Sequence, residues 1–392
     1  MKILHLINYF NDKLGYQENK LINFQKNNGH DVCLITSDRY FPFQNYEKNY
    51  QNFLGKRIVG AKKYFYKNVK IIRKKVFFES KKNAQCFFFN ILDVIKFNPD
   101  VIHVHNCGTY TFISTFIYSF LFRKKVFVDC HQDQQNTRDG LINKIHHTIW
   151  KIIYKIFTKI IIKFLPINED SKKFVLKNYN IHKDKIIISP LGYEKFSKKS
   201  FNNNKNLQKK NNGNELIIIN SGKQNYSKKT HLLVELTKIL NLRKKNVKLI
   251  LIGNNDGTYK NFLNYKIRKT QNIIGQNKII RFPFINKKLL RYYLSISDIA
   301  IWPGIPSITI QESLYLGNIL MLPKNSASFH LIVSEYLIFH NNIFKTANNL
   351  IKILENKNIL NQIKLKNKNI LKKIDWYNIN KDLEKIYENK KN

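Results

Sequence analysis

Ser307, Thr309 and Glu312 have the types and spacing to do chemistry. They follow an apolar run, Ile299–Trp302, that reads as a buried strand, and Pro303, Gly304 and Pro306 break it before a short helical segment that Gly317 can close. A strand, a tight loop and a helix start would set the Ser307 and Thr309 hydroxyls beside the free N–H groups of the first turn. The positive end of the helix dipole there attracts an anion such as phosphate. Glu312, about one turn deeper, would repel phosphate but can accept hydrogen bonds from neutral hydroxyls such as those of a ribose. Diphosphate and ribose together indicate a nucleotide. The plainer reading makes Ser307 an N-cap and Glu312 a solvated helix residue, and the stretch by itself carries both.

Histidines come next. Asp100–His105, DVIHVH, reads as a strand with His103 and His105 on one face. Two imidazoles can begin a metal site, but no third ligand is spaced along the chain to complete it, so no metal is expected. Val126–Cys130 is the following strand and delivers His131 and Asp133 at its C-terminal end. Ligands of an open parallel sheet bind beyond that end, which makes His131 the better candidate for chemistry; the bland alternative is a surface histidine.

These residues need a scaffold of alternating strands and helices. Lys2–Ile7, a loop Asn8–Gly15, a helix from about Tyr16 to Asn28 and a strand Val32–Thr36 make a βαβ unit. Its loop has the single Gly15 where a dinucleotide fold carries G-x-G-x-x-G, which argues against an NAD enzyme, although one small residue still lets a backbone approach a ligand. After Val69–Arg73, DVIHVH and Val126–Cys130, the stretch Ile186–Gly192 ends a first domain, taken as 1–197. The Asn/Lys run 198–214 reads as a linker. Leu216–Asn220, followed by Ser221-Gly222-Lys223, opens a second α/β domain, 215–375, continued by strands at Val247–Ile252, Lys278–Phe282 and Ile299–Trp302. The amphipathic end, 376–392, is expected to return to the first domain. The fold class is α/β, with two parallel sheets.

Charge narrows the partners. Among 392 residues, 68 Lys+Arg stand against 26 Asp+Glu, a net charge of +42. The pI is near 9.9 and mean hydropathy −0.38. Anionic lipid, phosphate-bearing substrates and nucleic acid all fit such a surface. No RRM, KH, helix-turn-helix or zinc-finger pattern accompanies the charge, so nucleic acid is not expected. Lys56–Lys82 mixes basic residues with Tyr64, Phe65, Tyr66, Phe77 and Phe78, and Lys151, Lys155, Lys159 and Lys163 recur at steps of four. Both stretches fit an anionic membrane surface, and both also fit solvated basic surface. No apolar run is long enough to span a bilayer, no secretory signal is evident, and Cys33, Cys86, Cys107 and Cys130 stand singly as free thiols. A cytoplasmic protein, peripheral on the inner face of the membrane, is the expectation.

The order of these pieces resembles the GT-B glycosyltransferases of family 4 (group 1) over nearly the whole chain. The carriers are Gly15-Tyr16-Gln17-Glu18 with Gly29-His30-Asp31-Val32, Pro99 to His105, His131 at a strand end, Pro190-Leu191-Gly192, Gly222-Lys223 with Lys228, and Ser307 to Gly317. The resemblance implies two Rossmann-like domains facing across a cleft, the first for the acceptor and the second for a nucleotide-sugar donor. It implies a hexosyltransferase that retains configuration and needs no metal or other cofactor, with the UDP- or GDP-sugar as substrate. Lys223 and Lys228 match the family's basic pair on the donor diphosphate. His131 matches its histidine near the reacting sugar, Gly15 its glycine loop, Ser307 and Thr309 its phosphate-contacting helix start, and Glu312 its ribose-binding acid. A lipid-linked or other cell-surface glycan, as in lipopolysaccharide or capsule biosynthesis, is the implied acceptor. Two departures stand out: Gly304 occupies the place of the family's first glutamate, and Lys229 follows Lys228 where glycine is usual. Gly304 motivates the alternative of an inactive GT-B scaffold that partners another transferase.

Overall fold

The computed structural model describes residues 1–133, 137, 140–196, 215–255 and 257–388. The expected linker, 198–214, lies outside them. The chain divides into two units, Met1–Leu191 together with the segment from Trp376, and Gly192–Asp375.

Runs of Ile, Val and Leu that are apolar on both sides form the strands, as parallel strands covered by helices require. The first unit contains β1 (Lys2–Leu6), β2 (Asp31–Ser37), β3 (Lys62–Tyr66), β4 (Val69–Lys74), β5 (Phe78–Ser80), β6 (Gln85–Phe87), β7 (Val101–Val104), β8 (Lys125–Cys130) and β9 (Ile161–Pro166). Seven of them form one sheet in the order β3-β4-β2-β1-β7-β8-β9, and β5 and β6 pair separately. In that sheet β3 runs antiparallel to β4 at the edge and the other pairings are parallel, while β5 and β6 are antiparallel. On one face Leu4, Ile102, Val126 and Val128 meet Phe112, Phe116, Trp150 and Tyr154. On the other, Ile3, Val101 and Phe127 meet Leu21 and the Ile379, Leu383 and Tyr387 side chains of the final helix, Trp376–Glu388.

The second unit holds β10 (Leu216–Ser221), β11 (Val247–Ile252), β12 (Ile279–Phe282), β13 (Ile299–Ile301) and β14 (Ile319–Met321), all parallel, in the order β12-β11-β10-β13-β14. Apolar clusters cover both faces. The chain leaves β10 towards β11 on one side and later fills β13 on the other. The ends of β10 and β13 therefore form the switch point at which such sheets bind ligands. In the first sheet, β1 and β7 are the equivalent pair.

Several expectations change. β3 lies within the Lys56–Lys82 stretch, whose exposed, Lys-rich pattern hides an edge strand. The four-lysine stripe is broken, because the helix spans Leu141–Ile156, Lys159 follows it in a turn, and Lys163 sits in β9 with its amine on the Asp184 carbonyl. The four cysteines are buried and unbridged. No helix among the described residues is long and apolar enough to cross a membrane.

Candidate active site

In the second unit, three loops pack backbone on backbone beyond the strand ends. Gly222 closes β10 with φ +122° and donates its N–H to the Ile252 carbonyl at 2.9 Å. A Cβ on Gly253 would sit 2.0 Å from the Gly222 oxygen, and one on Gly304 would sit 2.0 Å from the Ser227 oxygen. Neither position can carry a side chain without the loop moving. Gly304 is thus a packing position in this chain, and a glutamate there would displace the turn that bears Lys228.

That turn, Tyr226–Lys228, is capped by the Asn225 side chain, which accepts from the Lys228 N–H at 3.1 Å. The Lys228 ammonium donates to the Pro306 carbonyl at 2.8 Å, and burial pushes its pKa down to about 8. Lys229 turns away, at φ +52°, towards the Asn341 side chain. Of the two lysines, Lys228 therefore belongs to the loop group. Lys223 directly follows Gly222 and is partly exposed. Beside it Gln224 is wholly buried, with neither end of its amide hydrogen bonded among the described residues.

Hydroxyls stand beside the same loops. Ser221 Oγ and Thr309 Oγ1 are 2.6 Å apart, and Thr309 donates onward to Ser307 Oγ at 3.2 Å. The helix that follows spans Ile310–Tyr315, and its Thr309 cap makes no side-chain hydrogen bond to it. A helix of six residues has a small dipole, so anion attraction here rests on lysines and hydroxyls more than on the helix end. Glu312 is also not the open acceptor read from sequence. Arg291 grips both its oxygens, at 2.9 and 3.3 Å, and Lys287 reaches Oε1 at 3.2 Å. Burial raises the Glu312 pKa, but these two cations outweigh it and hold it below the usual carboxylate value. The Arg291 guanidinium lies 3.8 Å from the centre of the Phe196 ring, which fixes it further. A ribose hydroxyl would share this carboxylate with Arg291.

The first unit holds Gly15 and His131. Gly15, at φ +66°, ends the loop between β1 and the helix Gln17–Asn27. His131 follows β8. Desolvation lowers its pKa against the opposing pull of Asp129, so the imidazole is neutral at pH 7 and can both donate and accept. Glu18, buried in the first turn of that helix, is pushed up to about 7.

Against the sequence expectation, His103 and His105 do have a third possible metal ligand beside them. Asp129 of β8 meets both, with Oδ1 2.9 Å from His103 Nε2 and Oδ2 3.0 Å from His105 Nδ1. The three ligand atoms lie within 4.8 Å of one another, and all three residues are buried. Asp129, Arg291, Lys287 and Gln224 went unread in the sequence. Only Asp129 left a signal, on β8 two positions before His131.

Residues 202–370 match the family of glycosyl transferases group 1. No curated protein matches the chain in sequence. Among solved structures, a glycosyltransferase from Rickettsia africae is 17% identical with a TM-score of 0.66, covering 98% of this chain and 97% of its own. HepE from Anabaena, solved with UDP, is 13% identical with a TM-score of 0.67 over 98% and 99%. A sucrose-phosphate synthase from Thermosynechococcus elongatus is 11% identical with a TM-score of 0.66 over 99% and 98%. These likenesses are of fold. The chain thus has the GT-B fold, and residues 202–370 match the group 1 glycosyl transferase model.

Proposed function

We propose that the protein is a hexosyltransferase that moves a sugar from a UDP- or GDP-sugar to a lipid-linked or other cell-surface glycan, with retention and without a metal on the diphosphate. The observation that carries this reading is the Lys228 ammonium, held on the Pro306 carbonyl beside the Ser221, Thr309 and Ser307 hydroxyls at the switch point of the second sheet. Charge builds on the leaving diphosphate as the glycosidic bond breaks. Lys228 and Lys223 would take up that charge in the role a Mg²⁺ ion fills elsewhere. His131, neutral and at a strand end of the acceptor unit, would hydrogen-bond the transferred sugar, and Gly15 would let the β1 loop approach it. HepE, which shares the fold, has been solved with UDP and with UDP-glucose, which favours uracil over guanine.

A thermal-shift panel of UDP, GDP, CMP, ADP and their sugar conjugates tests the donor site. A shift with one nucleotide family that a Lys223→Ala, Glu312→Ala double variant loses supports the reading; no shift with any nucleotide removes it. Nucleotide binding with no transfer to a broad acceptor panel would favour a scaffold instead.

The helix Leu141–Ile156 supports work at a membrane. Leu141, Ile142, Ile145, Ile149, Ile152 and Ile156 are exposed, at 41–77%, while Trp150 and Tyr154 are buried. At helical spacing the exposed six fall within an arc of about 100°, bordered by Lys144, Lys151 and Lys155. Apolar side chains edged by cations suit an anionic bilayer surface. Flotation with phosphatidylglycerol vesicles but not phosphatidylcholine vesicles, abolished by Ile145→Glu with Ile149→Glu, is the expected result; equal behaviour with both lipids would end this part of the proposal.

A further inference from the structure

We infer that His103, His105 and Asp129 form a buried site for one divalent transition-metal ion of the zinc class, set inside the first sheet. The residues come from adjacent strands. His103 lies on β7 and Asp129 on β8, with His105 one residue past β7, and strand alternation turns all three to the face that the final helix covers.

The first argument is the state of the ligand atoms. Asp129 Oδ1 lies 2.9 Å from His103 Nε2 and Oδ2 lies 3.0 Å from His105 Nδ1, yet His103 Nε2 and both buried Asp129 oxygens lack an aligned hydrogen bond among the described residues. Atoms that converge without the alignment of a hydrogen bond have the arrangement of ligands around an absent centre. With Asp129 bidentate, the two imidazoles and two oxygens make four donors. Nitrogen and oxygen donors of this kind suit zinc, and imidazole disfavours magnesium and calcium. The widest ligand separation, 4.8 Å at most, must close by roughly 1 Å, which rotation of the imidazoles can supply.

The second argument is the direction of the protons. His5 Nε2 faces Gln25 Oε1 at 2.7 Å, an oxygen that can only accept, so His5 carries its proton there. His5 Nδ1 then accepts from His105 Nε2–H at 3.0 Å. A neutral His105 is left with a lone pair on Nδ1, facing a carboxylate oxygen. A cation between the two relieves this. On the other side His103 Nδ1 is hydrogen bonded to the Tyr387 hydroxyl. Both imidazoles therefore have outer partners on the nitrogen remote from Asp129, the arrangement that orients metal-bound histidines. The ion would also neutralise a buried carboxylate whose ion-pair partners among the described residues are these two imidazoles alone.

Elemental analysis of the untagged full chain, purified without chelator and dialysed, should find about one zinc per chain. Apo protein refilled with Co²⁺ should show the visible bands of a four-coordinate site. Zn²⁺ should raise the Tm of the apo chain by roughly 5–10 °C, and Mg²⁺ should not. His103→Gln and Asp129→Asn should lose the ion, while His182→Ala, on the surface, keeps it. If the two variants fail to fold, the Co²⁺ spectrum of the unaltered chain still reads the site. Metal that dialysis removes, with no Zn²⁺ shift and no Co²⁺ bands, overturns the inference. The Gln25 amide would then be reversed, with protons running inwards to Asp129.

Discussion

Both sheets gather polar side chains at the C-terminal ends of their central strands, but they do so at different depths. At β10 and β13 the groups stand on loops, where Gly222, Gly253 and Gly304 let three backbones touch and leave Lys228 and the Ser307 and Thr309 hydroxyls beside them. At β1, β7 and β8 they lie within or directly beyond the strands, and His5, His103, His105 and Asp129 are shut from solvent. A group on a loop can meet a large ligand and be released by it. One locked into a sheet can exchange only protons or an ion, and its charge becomes part of the fold. On the proposed function the second unit would use charge for binding, whereas the first uses it within the fold.

Substitutions can break this contrast. The largest effect on stability should come from Asp129→Ala, which strips the imidazoles of their partner at a cost of about 3–5 kcal/mol. Denaturation followed by tryptophan fluorescence, with Trp150 and Trp376 reporting on the first unit and Trp302 on the second, should show the first unit weakened while nucleotide binding survives. Loss of nucleotide binding in the folded variant would mean that the two regions are not separable. Lys228→Ala should do the reverse, lowering kcat/KM by about 10²–10³ with little change in Tm. Gly304→Ala, whose Cβ would meet the Ser227 oxygen, should weaken donor binding by about 1–3 kcal/mol through displacement of the Lys228 turn, read by titration calorimetry.

The smallest effect is a pH dependence. Lys228 loses its proton as pH rises through about 8, so kcat/KM should fall above that pH, and Lys228→Arg should remove the decline. The same group has the opposite sign in stability. Its folded pKa lies below the unfolded one, so the unfolded chain binds more protons between about 8 and 10.4, and stability should rise with pH across that window.

What the sequence disclosed follows the same division. Local chemistry is legible. The apolar run before Pro303, the Gly222-Lys223 turn and the helix stop at Gly317 each announce themselves within a few residues, and the structure places a strand, a loop and a short helix there. Relations across strands are not. Asp129 meets His103 and His105 only because β7 and β8 pair, and the sequence gives no register for that pairing. Arg291 claims Glu312 from another helix, which turned an expected open acceptor into an ion pair. A uniform background of lysine hid β3 and made a broken row, Lys151 to Lys163, look continuous.

The final helix, Trp376–Glu388, has a consequence for the order in which the protein is made. Its Leu383 and Tyr387 complete the core over Ile3 and Phe127, and Asn28 donates to Glu384 at 2.7 Å, so the earliest strands synthesised stay uncovered on one face until the whole second unit has left the ribosome. For that interval the nascent β1 and β7 expose Ile3, Val101 and His103 to the cell, and chaperone dependence should concentrate there. A stop codon at Trp376 would leave that face permanently open, and the truncated product should be cleared by proteolysis although every group around Lys228 is intact.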